Sequence, residues 1–168
     1  TAIPGRRSLI VIMSTVLPDT VKAIAREAQT KQVRVIDAPV SGGPVGAREG
    51  KLSIMVGGAA QDLEEARSVL EVLGQRIFHC GDLGAGAATK IINNLIGASN
   101  LFLLPEAMAI ARSVGLDLPR LAAVMEGGTG RCNGTQDWDR QSRNYHEFSK
   151  TSDALRTLTT LCRKDLAH

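Results

Sequence analysis

Ser8-Leu9-Ile10-Val11-Ile12-Met13 and Val33-Arg34-Val35-Ile36-Asp37 decide the fold. Each is a short apolar run rich in β-branched side chains, the pattern of a strand buried within a parallel sheet. Between them, after the turn at Ser14-Thr15, Pro18 suits a first helical turn. Val21, Ile24, Ala25 and Ala28 then recur at helical spacing. Strand, helix, strand with short connections is a βαβ unit, with a right-handed crossover expected.

Working outward, residues 39–50, Pro-Val-Ser-Gly-Gly-Pro-Val-Gly-Ala-Arg-Glu-Gly, read as a glycine-crowded loop. Leu52 to Val56 returns as a strand stopped by Gly57-Gly58. Residues 60–73 read as a helix with Leu63, Ala66, Leu70 and Leu73 on one stripe, and Arg76 to Cys80 as a last strand. After Gly81 the character changes. One helix is predicted from Ala85 to Val114, apolar on most of its surface and therefore buried, kinked at Pro105 and ended by Gly115. A shorter helix follows from Leu118 or Pro119 to Gly127-Gly128. Residues 129–150 look polar and irregular, anchored by Trp138 and Tyr145, and a final helix is expected from about Ser152. The pattern is α/β over residues 1–82 and all-α over 83–168, the latter a long buried helix within a helical bundle.

The chain has 168 residues, enough to bury a core without staples. Hydrophobic residues at 43% and charged residues at 22% fit a globular protein. Aromatics are only 3%, which argues against a nucleic-acid reader built on stacking platforms. Net charge is a modest +3 with no basic run. Cys80, Cys132 and Cys162 are odd in number and form no CxxC or CxxH, so neither a disulfide framework nor a metal site is expected, as in a reducing compartment. The apolar stretch Ile91 to Ala111 carries Asn93, Asn94, Asn100, Pro105 and Glu106, too polar for an expected membrane span. The opening Thr1-Ala2-Ile3-Pro4 has neither Met nor a leader pattern, and the expectation is a piece of a longer protein.

Several motifs compete. Gly50-Lys51 ends a glycine-rich loop, but a phosphate loop needs Gly at 45 and Ser or Thr at 52, where Val45 and Leu52 stand. Gly84-Ala85-Gly86-Ala87-Ala88-Thr89 follows a strand and opens a helix as a dinucleotide fingerprint does, yet lacks the third glycine and a following acidic strand end. Lys90 and Asn94 are four apart and share a helix face. On spacing alone a solvated Lys and an ordinary Asn are the simpler reading. On an apolar helix, however, Lys90 is desolvated, which disfavours its ammonium and suits a general acid/base. Ser41-Gly42-Gly43 offers a hydroxyl and free backbone N–H groups to an anion, or is a plain turn.

Asp37-Ala38-Pro39-Val40-Ser41-Gly42-Gly43, then Gly46-Ala47-Arg48-Glu49-Gly50-Lys51-Leu52-Ser53-Ile54-Met55-Val56-Gly57-Gly58, resembles the substrate-binding signature of the β-hydroxyacid dehydrogenases. That family includes 3-hydroxyisobutyrate dehydrogenase, tartronate semialdehyde reductase and, more distantly, 6-phosphogluconate dehydrogenase. Gly86 to Asn94 resembles its GxxxKxxxN motif and Ser14-Thr15 with Pro18 its turn beside the nicotinamide. Glu106 to Ala111 with Gly115-Leu116-Asp117 resembles the continuing helix, and Lys164-Asp165-Leu166 a C-terminal segment whose Lys approaches the cofactor.

The resemblance implies the later part of a Rossmann-type dinucleotide-binding sheet (residues 1–82) and part of a helical substrate and oligomerisation domain (83–168). It implies hydride transfer between NAD or NADP and a small 3-hydroxy acid. Lys90 would be the acid/base, and Asn94 would orient the substrate. Ser41, Gly42 and Gly43 would hold the substrate carboxylate; Ser14, Thr15 and Lys164 would face the cofactor. Asn93, where 6-phosphogluconate dehydrogenases place His, and Pro44-Val45, where they carry acidic residues, favour the 3-hydroxyisobutyrate or tartronate-semialdehyde type. Lys90 separates the chain from imine reductases. The family's N-terminal GxGxxG has no counterpart before Ser8, so residues 1–168 alone are expected to lack activity. The rival readings are a non-catalytic remnant acting through helix association and a decarboxylating sugar-phosphate dehydrogenase. Expected partners are a hydroxy acid and further copies of the chain, as a dimer or tetramer, with neither nucleic acid nor membrane. The compartment is cytoplasmic or the mitochondrial matrix, with the cytoplasm preferred.

Overall fold

A computed structural model describes residues 8–149, together with Arg156 and Thr160. The two deciding runs form strands β1 (Leu9–Ile12) and β2 (Arg34–Asp37), paired in parallel with Ile12 beside Asp37 and joined by helix α1 (Pro18–Gln29). Pro18 stands in the first turn of α1 as expected. Gln32 ends that helix in left-handed backbone, φ 57°. There the N–H groups of Gln32 and Val33 reach back to the carbonyls of Gln29 and Ala28.

The glycine-crowded stretch is not all loop. It contains the two-residue strand β3 (Val40–Ser41) and the short helix α2 (Gly43–Arg48). Val40 and Ser41 pair with Ile54 and Ser53 of β4 (Ser53–Gly57), and Asp37 pairs with Gly57, so β4 runs antiparallel to β2 and β3. Helix α3 (Ala60–Leu73) leads to β5 (Arg76–Gly81), parallel to β4. The sheet is mixed, in the order β1-β2-β4-β3, with β5 on β4. Among the described residues β1 pairs only with β2, which makes it an open edge. Alternation sends Ile36, Ile54 and Val56 into one core with Leu63, Ala66 and Leu70 of α3. At the far end of β2 from Asp37, Arg34 donates to Asp62 (2.5 Å) and Glu65 (2.6 Å) and ties the strand to α3.

Helix α4 (Ala85–Ser113) runs continuously with Pro105 inside it. Gly115, φ 77°, follows it, and Leu116 N–H returns to the Ala111 carbonyl. The described chain divides inside this helix, into one compact unit reaching Ile92 and another beginning at Asn93. In the second unit α5 (Leu118–Gly127), capped by the Asp117 carboxylate on Arg120 N–H, packs Ala122 against Leu104 and Met108 of α4. Trp138 joins that cluster. It opens α6 (Trp138–Ser149), so the polar 129–150 stretch contains a helix rather than irregular chain. Its polar face hid it, while Asp137, which accepts from Gln141 N–H through its carbonyl, marks its start. The final helix expected from Ser152 lies outside the described residues, apart from helical Arg156 and Thr160, as do the Tyr145 side chain and Lys164.

The expectation of a buried α4 is corrected. Ile92 is 63% exposed and Leu103 64%, with Leu95, Ile96, Phe102 and Ile110 also exposed. Among the described residues of the second unit, Leu104 and Met108 are covered by α5 and Trp138, and Ala111 is buried as well. By length and composition α4 could cross a bilayer. Against that stand Lys90, Glu106 and the three Asn residues it carries.

Candidate functional site

The site is built around the carboxyl end of β2. Asp37, the last residue of that strand, is 0% exposed. Its Oδ1 accepts the Gly84 N–H at 2.7 Å and its Oδ2 the Ala87 N–H at 2.6 Å. A helix start leaves several N–H groups without helical partners, and a carboxylate there is favoured by hydrogen bonding and by the helix dipole. Here the capping carboxylate comes from a strand 47 to 50 residues earlier in the chain.

Two glycines let the helix come so close. A Cβ on Gly57 would stand 2.5 Å from Asp37 Oδ1 and 2.7 Å from Gly86 N. A Cβ on Gly86 would overlap the Met55 carbonyl oxygen. Backbone therefore lies directly on backbone where α4 meets β4.

This contact settles the Gly84-Gly86 motif. The N–H groups that a dinucleotide fingerprint would turn toward a pyrophosphate already serve Asp37. A second anion does not fit beside that buried carboxylate, so the fingerprint reading is withdrawn.

Lys90 follows on the same stripe. Gly86, Ala87 and Lys90 are all buried, Lys90 at 9% exposure, and Asn94 comes one turn later, half-buried. Helical side chains lean toward the preceding turn, so the Lys90 stem lies over the docked turns rather than in solvent. Lys90 and Asn94 are therefore on one helix face, as their spacing predicts. Asn93, beside them, donates to Asn94 Oδ1 at 3.5 Å.

The other expected residues lie on the carboxyl side of β1 and β2. Because Ile12 stands opposite Asp37, Ser14 and Thr15 emerge beside it, Ser14 exposed and Thr15 half-buried. Gly84 faces Pro18, the next bend of that segment: a Cβ there would lie 3.3 Å from Pro18 Cβ. Ser41 is four residues beyond Asp37, paired with Ser53, and half-buried. Gly42 and Gly43 follow, exposed, with φ of 127° and 63°, a backbone that side chains resist. A Cβ on Gly43 would meet nothing within 4 Å, so open space lies in front of it.

The resolved pKa shifts fall elsewhere. Hydrogen bonds to Glu65 and Asp62 hold the Arg34 guanidinium above its ordinary value. On α3, hydrogen bonding to Arg67 lowers Glu64, and the same contact raises Arg67. No cluster of three metal-ligating side chains occurs among the described residues. Asp37 belongs to the glycine-rich signature without a role of its own there; the one signal the sequence offers for it is an acidic residue ending a strand.

Residues 4–81 match the NAD binding domain of 6-phosphogluconate dehydrogenase, and residues 84–167 the NAD-binding domain of NADP-dependent 3-hydroxyisobutyrate dehydrogenase. The mitochondrial 3-hydroxyisobutyrate dehydrogenase of Drosophila melanogaster is 40% identical over 128 residues, 76% of this chain and 40% of that protein. The 3-hydroxyisobutyrate dehydrogenase of Pseudomonas aeruginosa is 43% identical over 124 residues, 74% of this chain and 42% of that protein. The solved Mycobacterium tuberculosis 3-hydroxyisobutyrate dehydrogenase with L-serine superposes with a TM-score of 0.70 at 36% identity, over 78% of this chain and 45% of that one. The chain thus spans less than half the length of these relatives. With a Rossmann-like sheet leading into a long helix, and both segments matched in order, the chain belongs to the β-hydroxyacid dehydrogenase family.

Proposed function

We propose that the protein is an NAD- or NADP-dependent dehydrogenase of small 3-hydroxy acids, of the 3-hydroxyisobutyrate or tartronate-semialdehyde type. The observation that carries this reading is the burial of Lys90 on the α4 stripe that docks against the sheet. Lys90 is the one buried lysine among the described residues, and it occupies the lysine position of the family's GxxxKxxxN pattern.

The residues present suit the nicotinamide end of a dinucleotide. Ser14 and Thr15 offer hydroxyls at the carboxyl end of a parallel strand pair, where open α/β sheets receive ligands. When bound, the dinucleotide supplies or accepts the hydride. Lys90 in its ammonium form donates a proton to the carbonyl oxygen during reduction; as a neutral amine it takes the hydroxyl proton during oxidation. Asn94 orients the substrate one turn further along α4. The Ser41 hydroxyl and the Gly42 and Gly43 N–H groups hold the carboxylate. Lys164, outside the described residues, serves the cofactor side.

The 3-hydroxy acid class is supported by the relatives' names and by the L-serine in the mycobacterial structure, itself a 3-hydroxy acid. The exposed apolar residues of α4 support a homo-oligomer in which further copies cover that helix. Free Cys80 and Cys132 support a reducing compartment, the cytoplasm or the mitochondrial matrix. We take the functional boundary at 82/83, between the end of β5 and the start of α4, although the compact units divide later, after Ile92 inside α4.

The test is Lys90→Ala in the complete gene product. Turnover is expected to fall roughly 10²–10⁴-fold with little change in dinucleotide affinity. Lys90→Arg is expected to fail as well, because a guanidinium stays protonated. Near-normal turnover in Lys90→Ala would overturn the assignment.

A further inference from the structure

The geometry points to Asp37 as a positioning residue for the acid/base lysine, an inference that rests on the function proposed above. Asp37 touches no reacting atom in that scheme. Its carboxylate fixes the first turn of α4 through Gly84 and Ala87, and Lys90 is the next buried position after Ala87 on that face.

The hold is bidentate and closely packed. Both carboxylate oxygens are engaged, and the group is fully buried. Gly57 and Gly86 remove the slack between helix and strand. The backbone of Asp37 is fixed as well. Its strand pairs with Ile12 on one side and Gly57 on the other, and Ala38 N–H donates to the Ile12 carbonyl at 2.8 Å.

Three segments of the proposed site therefore take their position from one residue. The lysine helix is capped by its side chain. The segment carrying Ser41 continues from its own strand. The Ser14-Thr15 turn leaves the strand hydrogen-bonded to it. A carboxylate suits this better than an amide. Two N–H donors need two acceptors, whereas an Asn side chain offers one acceptor and turns its own donor against the second N–H. Asp37→Asn thus keeps the shape, loses one of the two bonds and lets the helix start shift.

The experiment uses the complete gene product with 3-hydroxy acid and NAD(P). Asp37→Asn is expected to lower kcat by roughly 10–100-fold, the scale of a displacement near 1 Å, and to leave dinucleotide affinity unchanged. Leu70→Ala, in the α3 core of the same unit, is expected to lower Tm while leaving kcat per folded enzyme unchanged. In a Lys90→Ala background Asp37→Asn is expected to cause a much smaller further loss, because most of its effect passes through the lysine. If Asp37→Asn does not fold, Gly57→Ala carries the same test, since its methyl pushes on both Asp37 Oδ1 and Gly86 N. Unchanged kcat in the folded variant, losses that multiply with Lys90→Ala, or an equal kcat loss in Leu70→Ala would each overturn the positioning role. Wild-type turnover in Lys90→Ala alone would instead bring down the functional reading, and this role with it.

Discussion

Gly86→Ala separates the effect of local propensity from that of close contact. In an open helix interior, alanine for glycine stabilises by up to about 1 kcal/mol. At Gly86 the added methyl would overlap the Met55 carbonyl oxygen and stand 2.9 Å from Asp37 Oδ2 and from Gly57 N. None of these is the free end of a flexible side chain: two are strand backbone, and the third is held by the Ala87 N–H. Relief requires α4 to withdraw by about 1 Å to reach ordinary contact distance. Such a withdrawal stretches the 2.6 Å Ala87–Asp37 bond to about 3.6 Å, beyond hydrogen-bonding range. Overpacking costs about 1–3 kcal/mol, and losing a bond to a charged group about 1.5–3 kcal/mol. Less the propensity gain, the net destabilisation is about 2–5 kcal/mol, and Tm should fall by roughly 10 °C for a chain of this length. Gly97→Ala is the matched control on the same helix, with nothing within 4 Å of the new methyl; it should gain up to about 1 kcal/mol. Circular dichroism during thermal and urea unfolding of both variants reads the difference. If Gly86→Ala is neutral or stabilising, the docking of α4 on β4 is wrong.

Gln32→Gly should stabilise by about 1 kcal/mol, because Gln32 sits at φ 57°, where a Cβ is penalised. A raised urea midpoint with unchanged slope would show it, and a lowered midpoint would count against that backbone. Gly43→Val places a branched side chain in left-handed backbone and in open space. In the complete protein it should impair use of the hydroxy acid far more than NAD(P)H binding, whereas equal losses would mean general misfolding. The polypeptide Thr1–His168 by itself should bind either dinucleotide very weakly and turn nothing over, because it spans less than half the length of its relatives and its own glycine turn at Gly84–Gly86, closed by Asp37, offers no substitute pyrophosphate site. Micromolar affinity by calorimetry would refute this.

Much of the architecture was legible because the signals were local. The β-branched runs of β1 and β2, Pro18 at the start of α1, the Leu63, Ala66, Leu70 stripe of α3 and Gly115 after α4 each state their conformation within a few residues. Lys90 and Asn94 were legible as a pair because helical spacing alone puts them on one face. What escaped was long-range. Val40-Ser41 is a strand only because β4 returns beside it. The weight of Asp37 is invisible until residues 84 and 87 are folded onto it. Apolar composition along α4 suggested burial, yet many of its apolar side chains are exposed, because composition does not say which surface covers a helix. The helix α6 is hard to read because its sequence is largely polar and Trp138, its anchor among the described side chains, sets no periodicity.

The distance along the chain between Asp37 and its two partners also implies an order of assembly. The carboxylate becomes a cap only when β2 lies between β1 and β4 and β5 has brought residue 84 to the sheet's end. Contacts across such loops form after local ones, since the closure entropy must be met first. The lysine helix should therefore dock last within its unit, as a late step gated by the finished sheet. A newly made chain would hold Lys90 in solvent until then.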